Sequence, residues 1–262
     1  MANASANAFG HRRPLKADFY VWMAAASALI VFATFAPTYW FQLTAGTFIG
    51  PPLLHLHAAL FFGWTLLLLS QSILAANGRL NHHRAWGVAA ISLATAMVGI
   101  GFLAAIGTVA RAEAAGYGDA ARAFLIVQVS ILGLFAGFFI AAIVSIHTRR
   151  PEAHKRFMFL ATIALLNPAI ARVIFVLATG GGPGQRPGLG APLPVSVALV
   201  PGLIAELMIV AGVIYDWRTR GRPHPVWLVG AIVMSAVMLL RIPFSATPTW
   251  QSIAVTLTHM GG

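Results

Sequence analysis

The stretch LLHLHAALFFGWTLLLLSQ, residues 53–71, is almost entirely apolar and carries two histidines near its start. About 20 apolar residues in a helix are enough to cross the hydrocarbon core of a bilayer. Seven windows of this kind occur, at 19–38, 53–76, 86–109, 124–147, 156–178, 193–215 and 225–246. They lack period-two alternation, which excludes a transmembrane β-barrel. The sequence therefore predicts an all-α integral membrane bundle of seven transmembrane helices.

The composition agrees with a protein that folds in lipid. Of the 262 residues, 59% are hydrophobic and 9% are charged, whereas a soluble domain has about 25% charged residues. The chain has no cysteine, which excludes disulfides, thiolate metal sites and cysteine nucleophiles. The connections are short and no internal repeat stands out. We therefore expect an N-terminal tail over 1–18, one seven-helix domain over 19–250 and an outer C-terminal tail over 251–262.

The distribution of lysine and arginine predicts the orientation of the bundle. If the N-terminus is cytoplasmic, twelve of the 17 basic residues fall on the cytoplasmic side. These twelve are Arg12, Arg13, Lys16, Arg79, Arg84, Arg149, Arg150, Lys155, Arg156, Arg218, Arg220 and Arg222. The opposite side holds only Arg111, Arg122 and Arg186, so the positive-inside rule favours a cytoplasmic N-terminus. Topology and contact with anionic lipid headgroups then explain the net charge of +11. We expect the lipid bilayer, and no nucleic acid, as a partner.

The second span carries a polar stripe. His57, Trp64 and Gln71 are spaced by seven residues, which places them on one face of a helix. His55 points elsewhere, so we expect the stripe to face the bundle interior and His57 to be the better ligand candidate. We name Glu206 and Arg172 as the expected partners of His57. The alternative is that His57 caps or hydrogen-bonds a neighbouring helix near the interface.

Two arginines lie within the outward half of the spans. Arg172 and Arg241 fall at similar estimated depth, and Glu206 is the only carboxylate inside a predicted span. One acid cannot neutralise two bases, so either one arginine snorkels to the headgroups or a bound anion supplies the missing charge. The second interpretation predicts an outward-facing pocket for a small anionic or amphipathic ligand. Its candidate residues are His57, Trp64, Gln71, Gln128, Asn167, Arg172, Glu206 and Arg241.

Histidines also gather where predicted spans end on the cytoplasmic side. Neutral imidazoles with a carboxylate are suitable ligands for zinc or iron. The candidate metal ligands are His83, His154, Asp216 and His224, and the cofactor would be haem or a divalent metal. The alternative is that these are interfacial residues of positively charged loops.

Several other classes do not fit. An opsin needs a lysine deep in a span, but the only lysines are Lys16 and Lys155, at membrane edges. Membrane di-iron hydroxylases need several HxxxH or HxxHH clusters, whereas this chain has only HLH and HHR. No GxSxG motif of a serine hydrolase occurs.

Longer segments resemble a widespread group of bacterial polytopic membrane proteins. The resemblance runs from about residue 50 to 250 and implies the seven-helix fold and a multi-pass location in the bacterial inner membrane. It leaves the activity open. The segments are LHLHAALFFGWTLLLLSQSILAANGRLNHHRAWG (54–87), RRPEAHKRFMFLATIALLNPAIARVIF (149–175), YDWRTRGRPHPVWLVG (215–230) and RIPFSATPTW (241–250).

A looser resemblance is to transmembrane b-type cytochromes, in which histidines from alternate helices ligate two haems. This resemblance implies one cytoplasmic ligand pair, His83 and His154. An outer pair is not matched, because His57 would need a partner where Gln128 stands. The leading hypothesis is a histidine-ligated haem or metal redox protein. The alternative is a non-catalytic binding or transport protein for a small anionic or amphipathic ligand.

Overall fold

Seven long helices make up most of the computed structural model, which describes residues 17–259. They are α1 Phe19–Thr44, α2 Pro52–Ala76, α3 Leu80–Ala114, α4 Gly118–His147, α5 Pro151–Thr179, α6 Val195–Arg220 and α7 Pro225–Ser245. Each is long and apolar enough to cross a membrane, and no strand occurs within the described range. The prediction of an all-α chain with seven membrane-length helices is confirmed, and the fold fits a multi-pass membrane protein.

Residues 1–16 and 260–262 lie outside the described residues. They include most of the expected N-terminal tail, its three basic residues Arg12, Arg13 and Lys16, and the end of the expected C-terminal tail.

Local signals in the sequence set the helix ends. Asp18 caps α1, its Oδ1 accepting the N–H of Val21 at 3.0 Å. Proline opens α2, α5 and α7, where its missing N–H would have no partner in the helix. Gly180 and Gly221 end α5 and α6 with φ of 79° and 72°, a conformation that favours glycine. Most connections are short, the longest being residues 180–194 between α5 and α6, and consecutive helices run antiparallel.

Helix α5 lies at the centre of the bundle, packed against α1, α4, α6 and α7. Its buried face includes Leu160, Ile163 and Leu166, none of which is measurably exposed. Trp64 of α2 reaches this face and donates from Nε1 to Thr162 Oγ1 at 3.0 Å. The hydrogen bond satisfies the indole nitrogen, which would otherwise be unpaired in the core.

Two of the helices that carry candidate ligands begin earlier than the apolar windows predict. Helix α3 starts at Leu80 instead of 86, and α5 starts at Pro151 instead of 156. The hydropathy window detects only the part of a helix that fits the hydrocarbon core, whereas these helices extend beyond it. His83 and His154 consequently lie in the first turns of helices, on a regular backbone that fixes their positions.

An eighth helix, α8 Pro248–His259, follows α7. It covers most of the region that the sequence analysis treats as a C-terminal tail. At 12 residues it is too short to cross a membrane. Trp250 and Ala254 are buried, and Trp250 Nε1 donates to the carbonyl of Arg122 at 2.8 Å. Helix α8 therefore packs on α4 through its apolar side.

Candidate functional site

His83 of α3 and His154 of α5 face each other across one end of the bundle. This is the end where α1, α3, α5 and α7 begin, referred to below as the N-terminal end. The ring centroids are 6.4 Å apart and the ring planes are perpendicular, at 90°. Two imidazoles that bind one metal ion from opposite sides, each nitrogen about 2 Å from the metal, place their centroids roughly 6 Å apart. The separation of the two rings thus fits a shared metal.

Each of these rings is held by a backbone carbonyl 12 residues earlier, at the end of the preceding helix. His83 Nδ1 lies 3.3 Å from the carbonyl oxygen of Gln71, and His154 Nδ1 lies 2.9 Å from that of Ala142. A carbonyl only accepts, so each Nδ1 carries the proton and each Nε2 keeps its lone pair. Metal-binding histidines are commonly oriented by such a bond from the other ring nitrogen. The α2–α3 and α4–α5 hairpins supply the same arrangement twice.

Gln71, whose backbone carbonyl holds His83, also carries a buried side-chain amide. Its side chain is 8% exposed, and neither Oε1 nor Nε2 has a hydrogen-bond partner. Trp64 is also buried, at 1% exposure, so these two members of the stripe face the interior as the spacing predicts. Leaving a buried polar group unpaired costs about 1–3 kcal/mol, so the Gln71 amide is suited to a bound polar group.

Asp216 lies in a separate cluster and is fully buried with Arg156. Arg156 Nε donates to Asp216 Oδ2 at 2.8 Å, and Nη2 donates to Oδ1. Arg156 Nη1 donates to Glu152 Oε2 at 2.8 Å. Arg156 was predicted only as one of the cytoplasmic charges, and its ion pair with Asp216 was not predicted. The signal was available, since a carboxylate within the bundle needs a cation.

His224 belongs to the same cluster as Asp216. Its backbone N–H donates to Asp216 Oδ2 at 3.1 Å, and its Nδ1 accepts the N–H of Val226 at 3.2 Å. The side chain is therefore the N-cap of α7. Within residues 17–259, no three side chains of the His, Cys, Asp and Glu types come together as a metal site. The four candidate metal ligands thus divide into the His83–His154 pair and the Asp216–His224 cluster.

At the opposite end of the bundle, Arg241 and Asn167 share one acceptor. Asn167 Nδ2 and Arg241 Nη2 donate to the carbonyl of Ala198, at 2.9 and 3.3 Å. Arg241 Nη1 also donates to Ser130 Oγ at 3.1 Å. Both side chains line a cavity of about 10 Å³, which has room for one water molecule at most. These residues fasten the start of α6 to α5 and α7.

Two further members of the expected outward pocket have local partners. Glu206 Oε2 accepts from Ser235 Oγ of α7 at 2.8 Å, and Glu206 forms no ion pair with Arg172. The expected pairing of Glu206 with His57 and Arg172 is therefore wrong. The amide of Gln128 turns back towards the carbonyl of Phe124, one turn earlier in its own helix. The eight candidate residues do not form one pocket.

His57 and Arg172 each contact an aromatic ring. The ring of His57 stacks on Phe61 with the centroids 4.1 Å apart, and His57 Nδ1 is buried without a partner. Arg172 lies 3.6 Å from the ring centre of Phe35, and its Nη1 donates to the carbonyl of Pro168 at 2.8 Å. Arg172 therefore binds the carbonyl of Pro168, one turn earlier in its own helix.

Comparison of the chain with known protein families, with curated proteins and with solved structures finds no match.

Proposed function

We propose that this chain is a multi-pass membrane redox protein that binds one haem through His83 and His154. The observation that supports this is the pair of perpendicular imidazoles with centroids 6.4 Å apart. Both rings are oriented through Nδ1 by carbonyls of the preceding helices. Two histidines held in this way would bind the iron of a b-type haem.

The number of ligands favours haem over a bare metal ion. Structural zinc sites use four protein ligands, and catalytic sites use about three. The described residues offer two here, because Asp216 is held by Arg156 and His224 caps α7. A porphyrin supplies four nitrogen ligands of its own, so that two histidines complete the iron. The alternative within this proposal is a bare divalent metal ion, which the two histidines would bind together with small molecules.

The protein residues would position the cofactor and control its surroundings. His83 and His154 would hold the iron, and the free amide of Gln71 would serve a polar group of the cofactor or a water bound to it. The haem would supply one-electron transfer. Because both histidines are carried by α3 and α5, packing of these helices fixes the distance between the ligands.

We also propose that the haem end of the bundle faces the cytoplasm of a bacterium. Of the basic residues in the described range, nine lie at the N-terminal end: Arg79, Arg84, Arg149, Arg150, Lys155, Arg156, Arg218, Arg220 and Arg222. The opposite end carries Arg111, Arg122 and Arg186. The positive-inside rule supports this orientation, and the resemblance to bacterial polytopic membrane proteins supports an inner-membrane location.

The test is an absorption spectrum and metal analysis of protein purified from haem-replete cells. We expect one haem per chain, with bands that change on reduction. His83→Gln and His154→Gln should each lower the bound haem by at least about tenfold, since one axial bond is lost. His82→Gln is the matched control, because His82 is the exposed neighbour of His83. A colourless, metal-free protein would refute the proposal, as would equal haem loss in the control.

A second candidate function, from a different class, is binding of a small anion at the opposite end of the bundle. Of the eight residues expected for it, His57 and Arg172 each keep a buried nitrogen without a partner, whereas Asn167, Glu206 and Arg241 bind local groups. Arg111 and Arg186, which lie outside that set, also keep a buried donor without a partner.

A further inference from the structure

We infer that a groove between α4, α5 and α7 binds a long-chain carboxylate, such as a fatty acid, with its head beside Arg241. This inference goes beyond the haem proposal and does not depend on it. The groove has a volume of about 480 Å³, and pockets for small molecules commonly have about 300–1,000 Å³. Its size is therefore that of a ligand site.

Small residues form one side of this groove. Gly133, Gly137 and Ala141 line it and are spaced by four residues along α4, so they lie on one face of the helix. Both glycines are exposed, and an added Cβ at either would meet nothing within 4 Å. Val233 and Val237 of α7 line the groove from the other side. The stripe of small residues is therefore open to an apolar chain.

The groove also has the length of a lipid tail. From Ser130 to Ala141, α4 rises by about 16 Å, and half of a hydrocarbon core about 30 Å thick measures about 15 Å. Phe138 and Phe157 line the part nearest the histidine pair, with ring centroids 6.3 Å apart. Every lining residue other than Ser130 is apolar. An extended hydrocarbon chain suits such a surface.

The end of the groove at Ser130 is polar. Arg241 Nη1 donates to Ser130 Oγ at 3.1 Å, and Nη2 donates to the carbonyl of Ala198 at 3.3 Å. Arg241 is 3% exposed and its Nε is buried without a partner. It takes part in no ion pair within residues 17–259. The groove thus ends beside a cation whose charge the described side chains do not neutralise.

This charge favours a small anionic head. An uncompensated buried charge is strongly unfavourable, and arginine forms short, charge-assisted hydrogen bonds to carboxylates. A carboxylate at Ser130 would accept the Nη1 hydrogen bond that the serine hydroxyl now accepts. Ser130 lies about 12 Å along α4 from Arg122, the nearest charged residue at that end of the helix. A bulky phospholipid headgroup stays at the interface, whereas a carboxylate is small enough to reach this depth.

A helix from a second copy of the chain is the other occupant that an open stripe of small residues suits. The charge of Arg241 argues against it. Glu206 is the only carboxylate inside a predicted span, and it already accepts from Ser235 of its own chain at 2.8 Å. A second copy would therefore leave Arg241 uncompensated, whereas a long-chain carboxylate satisfies both the apolar stripe and the cation.

The test uses the full chain in phosphatidylcholine vesicles that contain a palmitate analogue with a photoreactive diazirine in its tail. We expect saturable labelling, with adducts within residues 130–141 and 233–241. Unlabelled palmitate should compete at least about tenfold better than hexadecanol, which has the same tail and no charge. Arg241→Gln should abolish this preference, because the cation that recognises the carboxylate is lost.

A groove-filling variant tests the tail separately. Gly137→Leu should weaken labelling by at least about tenfold, because its side chain occupies the groove. Gly99→Leu on α3 is the matched control, since Gly99 is also an exposed helical glycine whose added Cβ meets nothing within 4 Å. It should leave labelling unchanged.

Four results would overturn the inference: labelling that does not saturate, equal loss in the two leucine variants, equal competition by hexadecanol, or an unchanged preference for palmitate in Arg241→Gln. Disulfide-linked dimers of Gly137→Cys that palmitate does not reduce in amount would also overturn it, because they would place a second copy on the stripe. None of these measurements requires haem, so the result stays distinct from that of the redox proposal.

Discussion

At the scale of single residues, the most demanding contact is the buried ion pair between Arg156 and Asp216. Their side chains are 1% and 0% exposed, and the carboxylate also accepts the N–H of His224 at 3.1 Å. Removing two charges from water is unfavourable, so such a pair adds little stability compared with apolar residues of similar size. Losing one partner is far worse, because the other charge stays buried and unpaired. The pair therefore fixes the register of α5 against α6.

Asp216→Asn should consequently destabilise the folded bundle by about 3–5 kcal/mol. Glu152→Gln is the control, because Glu152 is half-exposed and removal of an exposed ion pair costs less than about 1 kcal/mol. The measurement is the unfolding midpoint of detergent-solubilised protein. Replacing both partners, Arg156→Met with Asp216→Leu, should recover most of the loss. Equal midpoints for Asp216→Asn and Glu152→Gln would contradict this account.

At the scale of helices, the start of α7 depends on an imidazole. His224 Nδ1 accepts the N–H of Val226 at 3.2 Å, which satisfies a backbone donor that the helix itself leaves free. Only an unprotonated Nδ1 can accept. Burial, followed by the positive charges of Arg156 and Arg220, lowers the pKa of His224 below its ordinary value of 6.5. The folded state thus holds this residue in the neutral form that the cap requires.

Stability should therefore fall in acid. Because the pKa of His224 is lower in the folded than in the unfolded state, the unfolded chain binds more protons as the pH drops below about 6.5. The stabilisation is complete above that pH and is lost as the pH falls towards the folded-state pKa. Asparagine can cap a helix and does not titrate. His224→Asn should therefore remove the part of the difference in unfolding midpoint between pH 8 and pH 5 that is due to His224. It should lower the free energy of unfolding at pH 8 by at most about 1 kcal/mol. An unchanged pH dependence in His224→Asn would contradict the cap.

The number and location of the long helices could be predicted from the sequence. The exact ends of the helices and the contacts between side chains of different helices could not. Apolar length alone predicts the seven long helices, because a bilayer requires about 20 such residues. It does not detect the first turns of α3 and α5, which carry His83 and His154, or the short helix α8. The seven-residue spacing correctly placed Trp64 and Gln71 inside.

Partners across helices depend on rotation and depth, which the hydropathy of a single chain does not fix. For that reason Glu206, expected beside Arg172, binds Ser235, and Arg186, which lies in a connection between helices as expected, is only 9% exposed. The pairing of His83 with His154 was reached from a resemblance, since no spacing within one helix brings these two residues together.

At the scale of the whole molecule, the two ends of the bundle differ in charge and chemistry. The N-terminal end combines nine basic residues with the paired histidines, whereas the opposite end has fewer cations, of which Arg111, Arg172 and Arg186 each keep a buried nitrogen without a partner. If the two ends of the bundle exchange electrons or ligands with different compartments, every copy of the protein must insert into the membrane in the same orientation. The basic residues would then face the cytoplasm and its anionic lipid surface.

Single cysteines test that orientation directly, since the chain has none of its own and background labelling is absent. Asn81→Cys is exposed at the N-terminal end, and Gly190→Cys lies in the 180–194 connection, where an added Cβ meets nothing within 4 Å. In intact bacterial spheroplasts, a membrane-impermeant maleimide should label Gly190→Cys at least about tenfold more than Asn81→Cys, because the orientation proposed above has residue 81 on the cytoplasmic side. Permeabilisation should make the two equal. The reverse preference in intact spheroplasts would invert the bundle and place the histidine pair on the outer side.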